Sequence, residues 1–148
     1  MTDRQSLHIP TLGNAITINA NNVTIKNGIV PGFYVGINLN GSGEVVRDML
    51  VDQNTTIGIY ITGLGALVEH NQLIDTGGST TSNSTWGIAI AGSGSTVSDN
   101  VVSGVTVTDT GGAYGIYVTG ANNTARGNTV SNDALPTGGG YSIEIITY

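Results

Sequence analysis

The word Gly115-Ile116-Tyr117-Val118-Thr119-Gly120 constrains this chain more than any other stretch, because relatives of it recur along almost the whole length. They read Ala15-Ile16-Thr17-Ile18, Gly36-Ile37-Asn38-Leu39, Gly58-Ile59-Tyr60-Ile61, Gly87-Ile88-Ala89-Ile90 and Ser142-Ile143-Glu144-Ile145. Each alternates apolar with other residues at period two, the pattern of a strand with one buried face. The words begin at positions 15, 36, 58, 87, 115 and 142, which are 21, 22, 29, 28 and 27 residues apart. Fixed words joined by connections of varying length describe one coil of chain per repeat, with loops inserted at one corner. Stacking would make two interior columns, Ile16-Ile37-Ile59-Ile88-Ile116-Ile143 and Ile18-Leu39-Ile61-Ile90-Val118-Ile145.

A short Gly/Asn/Ser corner follows most words, as in Gly41-Ser42-Gly43, Gly63-Leu64-Gly65 and Gly92-Ser93-Gly94. Such residues tolerate the positive φ that a sharp corner needs. Beyond a second strand, Asn27, Asp48, Asn71, Asn100 and Asn128 align as one polar column, with Ile29, Leu50, Leu73, Val102 and Val130 two residues later. Amides stacked at about 4.8 Å can bond one another and the turn backbone. The longer connections carry Asp75-Thr76-Gly77-Gly78 and Asp109-Thr110-Gly111-Gly112, with an echo in Thr137-Gly138-Gly139-Gly140. Loops at one corner of successive coils should lie side by side and form a binding ridge.

This succession of G-I-x-h-x-G, Asn/Gly turn and V-x-x-N-x-V resembles the right-handed parallel β-helix repeat of the pectate-lyase-like superfamily, including its asparagine ladder. The resemblance runs from Ala15 to Tyr148. It implies an all-β fold, a right-handed parallel β-helix (solenoid) of about six coils, with short loops at one corner and longer loops at another. Residues 15–148 are expected as one domain, and residues 1–14, with Leu7, Ile9 and Leu12 around Pro10, as an N-terminal lid or partial first coil. The last word reaches Tyr148 with no cap after it. Head-to-tail contact with a second copy, or with the rest of a longer chain, is therefore the expected partnership. The superfamily spans lyases, hydrolases, epimerases, tailspikes and non-catalytic surface modules, so the fold alone assigns no activity.

Charge narrows the partners. A net charge of −6 with only four Lys and Arg disfavours nucleic acid, whose binding rests on clustered cations. Without Cys there is no disulfide or thiolate site, and no apolar run approaches the roughly 20 residues of a membrane span. The start Met1-Thr2-Asp3-Arg4-Gln5-Ser6 has no hydrophobic signal-peptide core, so the chain is either cytoplasmic or preceded by a leader. Extracellular or surface-associated placement is the expectation adopted.

Lys26, Arg47, His70 and Asp99 each precede the aligned polar column by one residue, and alternation puts them outside in one vertical row. Arg47, His70 and Asp99 from successive coils could act as cation, base and orienting acid beside a uronate carboxylate. The competing reading is a solvated ladder of mixed charge. Asp52 and Asp75 occupy matching positions in adjacent coils, but no calcium-binding spacing accompanies them, and no metal or cofactor is assigned. Tyr60 and Tyr117 fall at the outward position of their words and, with Trp86, are candidate contacts for sugar rings. The parity that buries Ile88 and Ile116 would nevertheless carry Trp86, Tyr114 and Tyr141 into the core at a corner. Two functional readings follow. The first is a non-catalytic scaffold or glycan-associated module that self-associates end to end. The second is a carbohydrate-active enzyme, or a fragment of one, acting on an acidic polysaccharide. The shortage of cations leans away from the enzyme.

Overall fold

A computed structural model describes residues 13–79, 84–108 and 111–131, and the backbone of 140–146. All the named elements are strands: β1 (Asn14–Ile18), β2 (Thr24–Lys26), β3 (Ile29–Pro31), β4 (Val35–Leu39), β5 (Val45–Arg47), β6 (Leu50–Asp52), β7 (Ile57–Ile61) and β8 (Leu67–Glu69). The order continues with β9 (Gln72–Ile74), β10 (Thr85–Ala91), β11 (Thr96–Ser98), β12 (Val101–Ser103), β13 (Ala113–Thr119), β14 (Thr124–Arg126), β15 (Thr129–Ser131) and β16 (Gly140–Ile146). They form three parallel sheets, ordered β1-β4-β7-β10-β13-β16, β2-β5-β8-β11-β14 and β3-β6-β9-β12-β15. Each turn of the chain thus gives one strand to each sheet in succession, the topology of a parallel β-solenoid.

The repeat words stack in the expected register. Ile16 pairs with Ile37, Ile37 with Ile59, Ile59 with Ile88, Ile88 with Ile116 and Ile116 with Ile143. Ile37, Ile59, Ile88 and Ile116 are fully buried, as are Leu39, Ile61 and Ile90. Val46, Val68 and Val97 enter the same core from the second sheet, and Val51, Leu73 and Val102 from the third. Each such side chain contributes roughly 1.5–3 kcal/mol on burial, so a core only a few side chains wide is continuous along the stack.

Three columns of left-handed residues turn the chain between sheets. One contains Asn22, Gly43, Gly65, Gly94 and Asn122, a second Asn27, Asp48, His70, Asp99 and Gly127, and a third Gly32, Gln53, Asp75 and Gly104. Their amides bond from rung to rung, as where His70 N donates to Ser98 O at 3.2 Å and Asp75 N to Ser103 O at 2.9 Å. Asn and Asp reach this conformation more readily than other residues with a side chain. This explains the prevalence of Gly, Asn and Asp at these corners.

The polar column is corrected by one residue in its first two members. Lys26 pairs with Arg47, Arg47 with Glu69 and Glu69 with Ser98, so Asn27 and Asp48 share the exposed corner with His70 and Asp99. The positions level with Asn71 belong to Gly28 and Met49. The asparagine ladder therefore comprises Asn71, Asn100 and Asn128, joined by Nδ2-to-Oδ1 bonds of 3.0 Å at each step. Its lower end is closed by Met49 N, which donates to Asn71 Oδ1 at 3.1 Å. The D-T-G-G words are likewise not stacked: Gly77 bridges to Thr106, while Gly112 leads directly into β13 and accepts from Thr85 N. Asp109, Thr110 and Thr137 to Gly139 lie outside the described residues, as do Met1 to Leu12 of the expected lid.

Candidate functional site

The glycine that opens most repeat words decides which side chains face outward on the first sheet. A Cβ on Gly58 would stand 2.7 Å from Leu73 Cδ2 and 2.7 Å from Gly87 O, and one on Gly87 would stand 2.6 Å from Val102 Cγ1. Leu73 and Val102 are core residues, so the glycine and the isoleucine after it both face the interior. Alternation is broken there, in the manner of a bulge. The residue before the glycine is thereby turned to the outside. Trp86 and Tyr114 are half-exposed rather than core residues, which corrects the parity argument that carried them inward.

Their new position brings them beside the outward column Asn38-Tyr60-Ala89-Tyr117, whose register is fixed by the pairing of β4, β7, β10 and β13. Trp86 and Tyr114 stack with ring centroids 5.9 Å apart and planes 9° from parallel. Tyr114 in turn meets Tyr117 edge to face at 5.3 Å and 61°. Both arrangements suit the ring quadrupoles. Tyr60, Trp86 and Tyr117 line a single cleft of about 260 Å³, with Ile57, Ala89, Ile90 and Ala91 completing it. The three aromatic candidates named from sequence are thus brought together. Ile57, Ala89, Ile90 and Ala91 are lining residues that sequence reasoning did not name as site candidates. The signal was present: Ala89 is the one small residue between two tyrosines in its column, and Ile57 precedes a glycine just as Trp86 does.

The charged candidates fare differently. Arg47 lies on β5 beside Glu69, whereas His70 and Asp99 sit in the corner column at φ 54° and 56°. Arg47 instead reaches its chain neighbour, with Nε 4.0 Å from Asp48 Oδ2 and both side chains more than two-fifths exposed. Such a contact is worth at most a few tenths of a kcal/mol to about 1 kcal/mol. Asp99 Oδ1 fills the space a side chain on Gly127 would need, which directs it to the rung beyond, away from His70. The trio is therefore split between a sheet face and a corner. Asp52 pairs with Ile74, one residue from Asp75. Burial and the Asp75 carboxylate hold the Asp52 carboxyl above the usual carboxylate range, against a backbone hydrogen bond from Gln53. Among the described residues no group of three or more His, Asp or Glu could hold a metal ion, and no helix is long and apolar enough to cross a membrane.

The fold and cleft define the class of molecule as a parallel β-solenoid with an aromatic cleft on one sheet face. No protein-family model, curated protein or solved structure matches the chain.

Proposed function

We propose that this protein is a non-catalytic, glycan-associated β-solenoid module, of the right-handed kind its repeat resembles, and that it holds a sugar ring in the Tyr60-Trp86-Tyr117 cleft. The observation carrying this reading is the cleft itself: three aromatic side chains from successive rungs converge on one outward, largely apolar hollow. Aromatic faces pack against the C–H faces of sugars and lose little side-chain freedom in doing so. Trp86 is the only tryptophan in the chain, so its emission reports on the cleft directly. Titration with a panel of soluble polysaccharides is expected to shift or quench that emission for at least one of them, and Tyr117→Ala is expected to weaken the response. Unchanged emission across the panel would reject the reading.

The scaffold half of the proposal, head-to-tail association, draws on the parallel sheets, whose described end strands β1 and β16 each have one strand partner. A free edge is a template for another strand. Elongated particles that lengthen with concentration are expected by electron microscopy, and short isolated particles at all concentrations would argue against association. The enzyme alternative has less behind it, because Arg47 stands apart from His70 and Asp99. A lyase assay following unsaturated uronate, with His70→Ala as control, tests that reaction class.

A further inference from the structure

We infer that the cleft selects a single uncharged pyranose ring with equatorial hydroxyls, as in a neutral β-glucan, and that Ala89 sets the size of the slot. The inference rests on the glycan reading above and adds to it the class of sugar.

Charge comes first. None of the residues lining the cleft has a carboxylate, ammonium, guanidinium or imidazole side chain. The described cations Lys26, Arg47 and Arg126 share one column of the second sheet, not the first sheet that carries the aromatics. A uronate entering this cleft would give up water around its carboxylate with no cation among the described residues of that sheet to replace it, and burying an unpaired charge is costly. The chain's overall charge of −6 adds to the exclusion. A neutral ring with all its hydroxyls equatorial offers C–H faces to the aromatic walls and keeps its hydroxyls at the rim, in water.

Size comes second. Tyr60 and Tyr117 occupy the rungs on either side of Ala89 in one outward column. Two rungs span about 9.6 Å, and a ring at van der Waals distance from both walls needs about 7–8 Å. One ring fits between them and two do not. Tyr114 covers one face of Trp86, and the register partner on the other side is Ile57, which lines the cleft together with the indole. Ala89 holds the outward position between Tyr60 and Tyr117 and, although only 5% exposed, lines the cleft. A tyrosine at this position would continue the column Tyr60-Tyr117 without a break and fill the slot. The same column already accepts tyrosine on the rungs before and after, so the fold has room for it.

The test is Trp86 emission of the full chain titrated with cellohexaose and, separately, with hexagalacturonate of equal length. Saturable change with cellohexaose, little or none with hexagalacturonate, and at least about a tenfold weaker response in Ala89→Tyr is the expected result. Circular dichroism checks that Ala89→Tyr is folded; if it is not, Tyr60→Ala, which removes one wall, is expected to weaken cellohexaose binding by a similar factor. Binding of hexagalacturonate alone would overturn this inference and leave the glycan reading standing. Undiminished cellohexaose binding by Ala89→Tyr, or by Tyr60→Ala in its place, would overturn the placement of the ring. A response to neither sugar but to tetramethylammonium, which an aromatic hollow can hold through cation–π attraction, would overturn both.

Discussion

Replacing Asn100 by alanine tests the asparagine ladder where its geometry is most demanding. The Asn100 side chain donates from Nδ2 to Val68 O at 2.9 Å and to Asn128 Oδ1 at 3.0 Å. Its Oδ1 accepts from Asn71 N and from Asn71 Nδ2, each at 3.0 Å. Asn100 is fully buried, so water cannot take over these partners. Four hydrogen bonds at about 1 kcal/mol net each, with orphaned groups costing about 1–3 kcal/mol apiece, would exceed 4 kcal/mol if nothing relaxed. Asn71 Nδ2 retains Val46 O at 2.9 Å, which brings the expected loss for Asn100→Ala to about 3–5 kcal/mol. Asn27, which the sequence pattern places in the same ladder, gives the contrast. It sits exposed at an outer corner with φ 58°, where glycine is at ease, so Asn27→Gly is expected to change stability by less than about 0.5 kcal/mol. Equilibrium urea unfolding followed by far-UV circular dichroism measures both, using the shift in midpoint at constant slope. Comparable losses for the two variants, or a loss below about 1 kcal/mol for Asn100→Ala, would refute the three-rung ladder.

Three further outcomes follow from buried or crowded groups. Glu44 is fully buried with Oε2 unpartnered, while Asn123, in its corner column, donates its amide to Gly92, Thr119 and Gly120 carbonyls at 2.8–3.1 Å; Glu44→Gln supplies such a donor and is expected to stabilise by about 1 kcal/mol in urea unfolding, and a loss would count against it. Gly58→Ala drives a methyl to 2.7 Å from Leu73 and from Gly87 O, so a loss of about 1–3 kcal/mol with a shift in Trp86 emission is expected, and wild-type values for both would contradict the inward-glycine account. The Asp52 carboxyl is held above the usual range by burial and by Asp75, so the folded protein binds its proton more tightly than the unfolded chain does. Its penalty is full above the folded pKa and is relieved as pH falls through that value toward the unfolded one; Asp52→Asn should raise Tm at neutral pH and flatten this part of the profile, and thermal melts with an unaltered slope would refute it.

Much of the architecture could be read from letters because a solenoid turns sequence repetition into vertical contact. Ile59 and Ile88 pair in space as they do in alignment, since the buried face of each word leaves the register little freedom. The ladder was misread for a local reason. Asn27 and Asp48 are followed two residues later by Ile29 and Leu50, which mimics the spacing of Asn71 with Leu73. The constant six-residue step from Leu39 to Val45, Ile61 to Leu67 and Ile90 to Thr96 fixes the true alignment. That step puts Met49 level with Asn71. The same slip by one residue separated Arg47 from His70 and so dissolved the expected cation-base pair. Trp86 was misplaced by a different cause, because strict alternation assumes a side chain at every position, whereas Gly87 faces the core with none.

The cleft and the glycine are one phenomenon. In a regular strand, residues two before and one after the buried isoleucine lie on opposite faces. In β10 and β13 those residues are Trp86 with Ala89 and Tyr114 with Tyr117. Two inward positions in succession, the glycine and the isoleucine, bring both onto the outer face and broaden that face from one column to two. The core pays for this only in a missing side chain at each glycine, whose place is taken by Leu73 or Val102 from the third sheet. An aromatic platform two columns wide follows wherever large residues occupy both flanks. It becomes a cleft only where one of them is small, which in the described column between tyrosines is Ala89. The position of the site along the stack is therefore set by one alanine, and its width by the spacing of the rungs.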